Sequence, residues 1–257
     1  MALIKHDIQI LEYDDSQHAV IMPTHDNLDI KLPSKAVFAF LGDVIETYAE
    51  SNKNKAEKIA EFISATKVYP VYIVDYEGED ICLCQAPVGS AASTQILDWL
   101  IGYGVTKVIS SGTCGALAEL PENTFLVPTK ALRDEGTSYH YLPPSRYVNI
   151  CSDALYAIEK VFQKCNIPYL ECMTWTTDGF YRETREKVMY RKKEGCMVVE
   201  MECASLAACA EFRDIKFGQI LFTADTLANI DAYDERNWGE DSFEKALYIC
   251  LDIVHEM

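Results

Sequence analysis

Short apolar runs that alternate with helix-period segments constrain this chain more than any other feature of its sequence. Ala36-Val-Phe-Ala-Phe-Leu41 reads as a buried strand that stops at Gly42-Asp43, with Asp43 placed to cap the helix that follows. A second helix is expected over Lys55 to Ala65. Tyr69 to Tyr76 and Glu79 to Cys84 flank Glu77-Gly78, a hairpin signal. Ile96, Leu97, Leu100 and Ile101 recur at helical spacing within Ser93 to Tyr103. Thr106 to Ser110 then predicts a strand entering a small-residue turn, Ser111-Gly-Thr-Cys-Gly-Ala-Leu117.

The same alternation continues to the end of the chain. Strands are expected at Thr124 to Pro128, Tyr169 to Trp175, Met197 to Glu200 and Phe217 to Thr223. Helices are expected along the face Leu155, Ile158, Val161, Phe162 and Cys165, over Met201 to Phe212, and over Ser242 to His255. Residues 1–34 look irregular. No repeat, low-complexity tract or Gly/Ser linker interrupts the rest, so residues 1–257 are expected to form one unit. Strands alternating with helices imply an α/β fold with a largely parallel sheet covered on both faces. In such sheets ligands gather beyond the carboxyl ends of the strands.

Charge narrows the function classes. The chain carries 23 Lys and Arg against 40 Asp and Glu, a net charge of −17. Such a surface repels a phosphate backbone, so nucleic acid is not an expected partner. No apolar stretch reaches the ~18–20 residues that cross a bilayer, so no membrane role is expected. The segment MALIKHDIQILEYDD does not read as a secretory signal, and a cytoplasmic location is expected. The ten cysteines are scattered, contain no C-x-x-C pair and show no zinc spacing completed by His. They are expected to be reduced core residues, and no metal site is expected.

Four strand ends carry chemistry-bearing residues. Gly42 lets a ligand approach the backbone. Ser110-Ser-Gly112-Thr113-Cys-Gly115 reads as a plain connector or as a nest for an oxyanion. Glu200 and Glu202 follow a buried strand, where an acid either suits a helix's first turn or accepts hydrogen bonds from sugar hydroxyls. Asp225 ends Leu221-Phe-Thr-Ala-Asp225, where it either caps a loop or donates a proton.

In their order and spacing, these segments resemble the nucleoside phosphorylase superfamily, which includes uridine and hexameric-type purine nucleoside phosphorylases and nucleosidases. Val199-Glu-Met-Glu-Cys-Ala-Ser-Leu206 is similar to the family's ribose-binding V-E-M-E-x-A-x-L segment. Gly112-Thr-Cys-Gly-Ala-Leu117 looks like its G-T/S-x-G-A-L loop, and Thr176 to Thr184 like its base pocket. Arg133 to Tyr141 resembles a stretch of the uridine-phosphorylase-like branch. The resemblance implies a single domain built on a twisted central mixed β-sheet, barrel-like and flanked by helices. It also implies a homo-oligomer, a dimer or trimer of dimers, whose subunits lend residues to each other's sites.

On that resemblance Glu202 holds the ribose hydroxyls, with Glu200 beside it and Met201 against the sugar. His25 is the counterpart of a neighbour-subunit His at the sugar's 5′ end. Phe180 faces the base, Asp225 protonates it as it leaves, and Gly42, Gly112, Thr113 and Lys67 belong to the phosphate site. The implied reaction takes a nucleoside and inorganic phosphate to free base and (deoxy)ribose 1-phosphate, with no cofactor. A departure stands beside this. The family's phosphate arginines fall at Glu46 and Ser110, and the Gln and Arg of uracil recognition fall at Thr184 and Glu186. Arg133, Arg182 and Arg185 are candidates to compensate. Hydrolysis of the same bond by water, or nucleoside binding without catalysis, are the alternatives.

Overall fold

The predicted alternation folds into a sheet that closes on itself at one end and stays open at the other. In the computed structural model, which describes residues 3–51, 54 and 56–257, the pivot is β5 (Lys107–Ala116). Its residues 107–109 pair in parallel with β1 (Lys35–Ala39), and β4 (Glu79–Gln85) lies beyond β1. Two further strands, β3 (Val68–Tyr76) and β2 (Glu57–Ile63), complete this open wing. Farther along the same edge, Gly115 and Ala116 pair instead with β9 (Cys196–Glu200).

The other edge of β5 lies along β10 (Lys216–Thr226). From β10 the sheet runs through β6 (Phe125–Asp134) and β8 (Tyr169–Thr177) back to β9. Five strands therefore make a closed ring, with the short β7 (Tyr147–Asn149) paired to β6. Each ring strand sends one side chain into a shared buried cluster: Cys114, Leu126, Cys172, Val198 and Leu221.

Helices cover both faces. On one, α6 (Phe243–Glu256) and α3 (Ser152–Lys164) bury Leu251, Val254, Ile158 and Phe162 against Val37, Ile109 and Ile220, beside α1 (Val44–Glu50). On the other, α2 (Ser90–Gly102) and α5 (Cys203–Phe212) pack Leu97, Leu100, Cys203 and Leu206 on Phe38, Val108 and Phe217. A sixth helix, α4 (Arg185–Glu194), leans Val188 on Trp175. No helix among the described residues is long and apolar enough to cross a membrane. All ten cysteines are free thiols.

The structure corrects four expectations. Lys55 lies outside the described residues, but residues 57–63 of the expected second helix form strand β2. Its apolar spacing suits a helix, yet the antiparallel partner β3 is adjacent and Phe62 packs edge-on against Trp99, centroids 5.8 Å apart. Tertiary pairing overrides local propensity there. Residues 111–116, expected as a turn, continue β5, because small side chains fit a strand packed on both faces. Asp43 stands at the N-cap of α1, but its side chain makes no capping bond. The sheet is evenly mixed rather than largely parallel, with antiparallel pairs in both wing and ring. Residues 3–34 are irregular apart from a short helical turn at Gln9–Leu11 and a bridge between Ile4 and Tyr13.

Candidate active site

The ends of β5, β9 and β10 meet at the mouth of the ring, around a cavity of about 340 Å³. Gly112, Thr113, Glu200, Met201, Glu202, Phe180 and Asp225 all line it. Seven of the ten residues proposed from sequence are thus brought to one place.

The two glutamates after β9 differ in kind. Glu200 is buried, and its carboxylate accepts four hydrogen bonds. Oε1 takes the hydroxyls of Thr176 (2.6 Å) and Thr174 (3.1 Å), and Oε2 takes the N–H groups of Glu202 and Cys203 (both 2.7 Å). It thereby satisfies the first orphan donors of α5 and ties β8 to β9. Burial raises its pKa, and the four donors oppose that rise. Glu202 is also buried, yet the side-chain bond it accepts comes from Gly89 N–H, at 2.5 Å. Gly89 offers that N–H from φ 101°, a conformation closed to L side chains at low cost. Burial, then the charge of Glu200, pushes the Glu202 pKa up to about 8. Of the two, Glu202 keeps acceptor capacity facing the cavity.

The third acid, Asp225, comes from β10. The β5–β10 register shifts between Thr223 and Thr226, a bulge that re-aims the residues between them. Asp225 lines the cavity from within that bulge and is buried. Desolvation raises its pKa, while a hydrogen bond from the Tyr233 hydroxyl and the charge of Arg236 hold it down. Gly115 makes room: a Cβ there would lie 3.1 Å from Asp225 Oδ1 and 3.0 Å from both Val199 and Leu227. Phe180 and Trp238 present half-exposed rings to the same wall, 42% and 46% accessible. Trp238 rides on a turn in which Arg236, Trp238 and Gly239 are all left-handed. The carboxylate of Glu122 holds this turn by accepting Asn237 N–H at 3.0 Å and Gly239 N–H at 2.8 Å.

Between these walls the β5 floor carries Gly112 and Thr113, with Gln219 opposite Ser110 on β10. Gln219 Oε1 and Ser110 Oγ are buried without a hydrogen-bond partner among the described residues. Among the described residues the cavity lining contains four acids, Glu183, Glu200, Glu202 and Asp225, and no Lys, Arg or His. No cluster of His, Cys, Asp or Glu that could hold a metal occurs among the described residues.

Three candidates lie elsewhere in the chain. His25 is exposed, 3.2 Å from Asp26, on a separate cavity beside Asp98 and Trp99. Gly42, at φ 54°, borders a third cavity with Asp43 and Phe243. Lys67 sits at the β2–β3 turn, 5.2 Å above the Tyr69 ring. Arg133 is committed to the fold through Ser138, Leu142, Pro143 and Ser145, and Arg185 pairs with Asp231. Sequence reading missed Glu183, Gln219, Trp238 and Tyr233. For the first, the only available signal was an acid three residues after an aromatic at a strand end.

An acid for hydroxyls at one wall, an acid and two aromatic rings at the other, and small residues between them suit a sugar joined to a flat heterocycle. A guanosine phosphorylase from Halorubrum lacusprofundi is 25% identical over 206 residues, 76% of this chain and 84% of that protein. The crystal structure of uridine phosphorylase from Vibrio fischeri superposes with a TM-score of 0.76 at 21% identity, covering 89% of this chain and 95% of the other. The 5′-methylthioadenosine/S-adenosyl homocysteine nucleosidase of Campylobacter jejuni gives 0.71 at 18%, covering 89% and 100%. At those identities the two structures share the fold. The phosphorylase superfamily model matches residues 35–254, from the first strand of the wing through the last helix, and the chain belongs to that superfamily.

Proposed function

We propose that this protein cleaves the N-glycosidic bond of a nucleoside, with inorganic phosphate taking the sugar to give free base and (deoxy)ribose 1-phosphate. The observation that supports the reading is that Glu202 and Asp225, from the ends of different strands, line one cavity. Glycosidic cleavage builds positive charge on the sugar and negative charge on the departing base. Glu202 accepts the 2′- and 3′-hydroxyls and faces the growing positive charge, and Met201 packs on the ring. Asp225, its pKa raised by burial, gives its proton to the base, a step worth ~10²–10⁴-fold. Phe180 and Trp238 bracket the base, while Gly112 and Thr113 meet the attacking oxygen. The reading calls for neither metal nor organic cofactor.

The lining supports a second reading, with water as acceptor. Four acids and no cation make a poor seat for a phosphate dianion and a fair one for neutral water. Phosphorolysis therefore calls for a homo-oligomer, a dimer or trimer of dimers, in which a second copy brings Lys67 to the β5 floor and His25 to the sugar. The ten free thiols fit a reducing cytoplasm. The test follows base release from nucleosides with and without inorganic phosphate. Phosphate-dependent release with ribose 1-phosphate as product supports the first reading. Release indifferent to phosphate replaces it with the second, and no release in either buffer overturns both.

A further inference from the structure

The wall at the base end holds one acid more than glycosidic cleavage needs. Phe180, Glu183, Asp225 and Trp238 line both the 340 Å³ cavity and an adjoining one of about 510 Å³. Two aromatic rings and two carboxyl groups therefore border the space common to both cavities. Asp225 comes from the β10 bulge, and Glu183 from the segment between β8 and α4.

Burial, then the nearby charge of Asp225, pushes the Glu183 pKa up to about 7, against the pull of Lys187 on α4. Tyr233 and Arg236 face Asp225 from the segment after β10, and burial still raises its pKa. Between them the two carboxyls hold a proton up to about pH 7, where Glu183 loses it. A pair with one proton offers one donor beside one acceptor. The edge of a 6-aminopurine offers the complement, ring N7 as acceptor beside an exocyclic N–H. A 6-oxopurine offers two acceptors there, N7 and O6, and one of them goes unpaired.

We propose that Glu183 is a specificity-determining residue that, with Asp225, reads the purine edge and selects 6-aminopurine over 6-oxopurine nucleosides. This rests on the nucleoside-cleaving reading for its substrate, but its geometry is tested by base binding alone.

The experiment measures adenine and hypoxanthine binding by calorimetry, and kcat/KM for adenosine, inosine and uridine with phosphate. Wild type, E183L and E183Q are compared at about pH 6, 7.5 and 8.5. The wild type is expected to favour adenine and adenosine by about tenfold or more at about pH 6. Raising the pH through about 7 strips the proton from Glu183 and removes the donor, so that preference shrinks toward pH 8.5. E183L is expected to bring the two bases within about twofold while its melting temperature stays close to wild type. In E183Q the amide turns either its N–H or its carbonyl to the base, so the preference falls toward that of E183L and the titration near pH 7 is lost. Equal wild-type affinities, an undiminished preference in E183L, or uridine cleaved faster than adenosine overturns the assignment. If no nucleoside is cleaved yet adenine still binds tenfold tighter than hypoxanthine, and E183L abolishes this, the assignment stands and the catalytic reading falls.

Discussion

Replacing Glu202 by Gln is expected to make the protein more stable and almost inactive. The amide oxygen still accepts the Gly89 N–H, so the contact that positions the side chain survives. What disappears is a charge that the fold tolerates poorly. The folded state pushes the Glu202 pKa from 4.5 up to about 8, so it binds this proton more tightly than the unfolded chain does. The resulting stability is fully present below about pH 4.5 and is lost as pH rises through 8. At roughly 1.4 kcal/mol for each tenfold change in proton affinity, the ionised carboxylate costs the fold on the order of 3–5 kcal/mol above pH 8. Glutamine carries no such cost. Glu202→Gln should therefore match wild type in urea titrations near pH 5 and exceed it near pH 9, by roughly 5–15 °C in melting temperature. On the proposed reading the same change also removes an acceptor for two sugar hydroxyls that is charged above about pH 8, where it is worth ~1.5–3 kcal/mol per charged hydrogen bond. A fall of about 10²–10⁴ in kcat/KM follows. A variant that keeps more than about a tenth of the activity refutes the assignment of Glu202 to the sugar, and one with no stability gain at pH 9 refutes its raised proton affinity.

Three further expectations separate neighbouring groups. Glu200→Leu strands two backbone N–H groups and two threonine hydroxyls in the interior, and should cost about 4 kcal/mol or more in urea unfolding, the opposite sign to Glu202→Gln. Gly115→Ala pushes a methyl group against Asp225, Val199 and Leu227. It should lower kcat by about tenfold at a stability cost of only ~1–3 kcal/mol, read from kinetics and melting of the same preparation. Tyr233→Phe removes a donor that favours ionised Asp225, so the Asp225 pKa rises further and the high-pH limb of kcat/KM moves to higher pH. A limb unmoved, or moved downward, means that Asp225 is not the acid.

Much of this architecture was readable because its signals are local. Ala36 to Leu41 and Phe217 to Thr223 are apolar runs that become central strands, and Glu77-Gly78 makes the expected turn, with Gly78 at φ 81°. The acids at positions 202 and 225 were visible as charges where apolar runs stop. What escaped depends on partners distant in the chain. β2 is a strand because β3 lies beside it. Glu200 differs from Glu202 because Thr174 and Thr176, a quarter-century of residues upstream, fill its oxygens. The β10 bulge that aims Asp225 shows only in its register with β5. Glu183 reads in isolation as an ordinary polar residue between an aromatic and a helix, and only its closeness to Asp225 gives it an unusual proton affinity.

The ring and the turn bearing Trp238 divide labour in a way that bears on how this protein can change. The acids sit on or at the ends of strands locked into a closed circle, where moving one strand disturbs its neighbours on both sides. The tryptophan instead hangs from a short span outside the circle, pegged by Glu122 and by Arg236 reaching the Leu120 carbonyl at 2.7 Å. On the proposed reading, exchange of that span between homologues retunes which heterocycle is admitted while leaving the acids on the strands alone. Diversification of clientele and preservation of chemistry are, in this architecture, separate evolutionary coordinates.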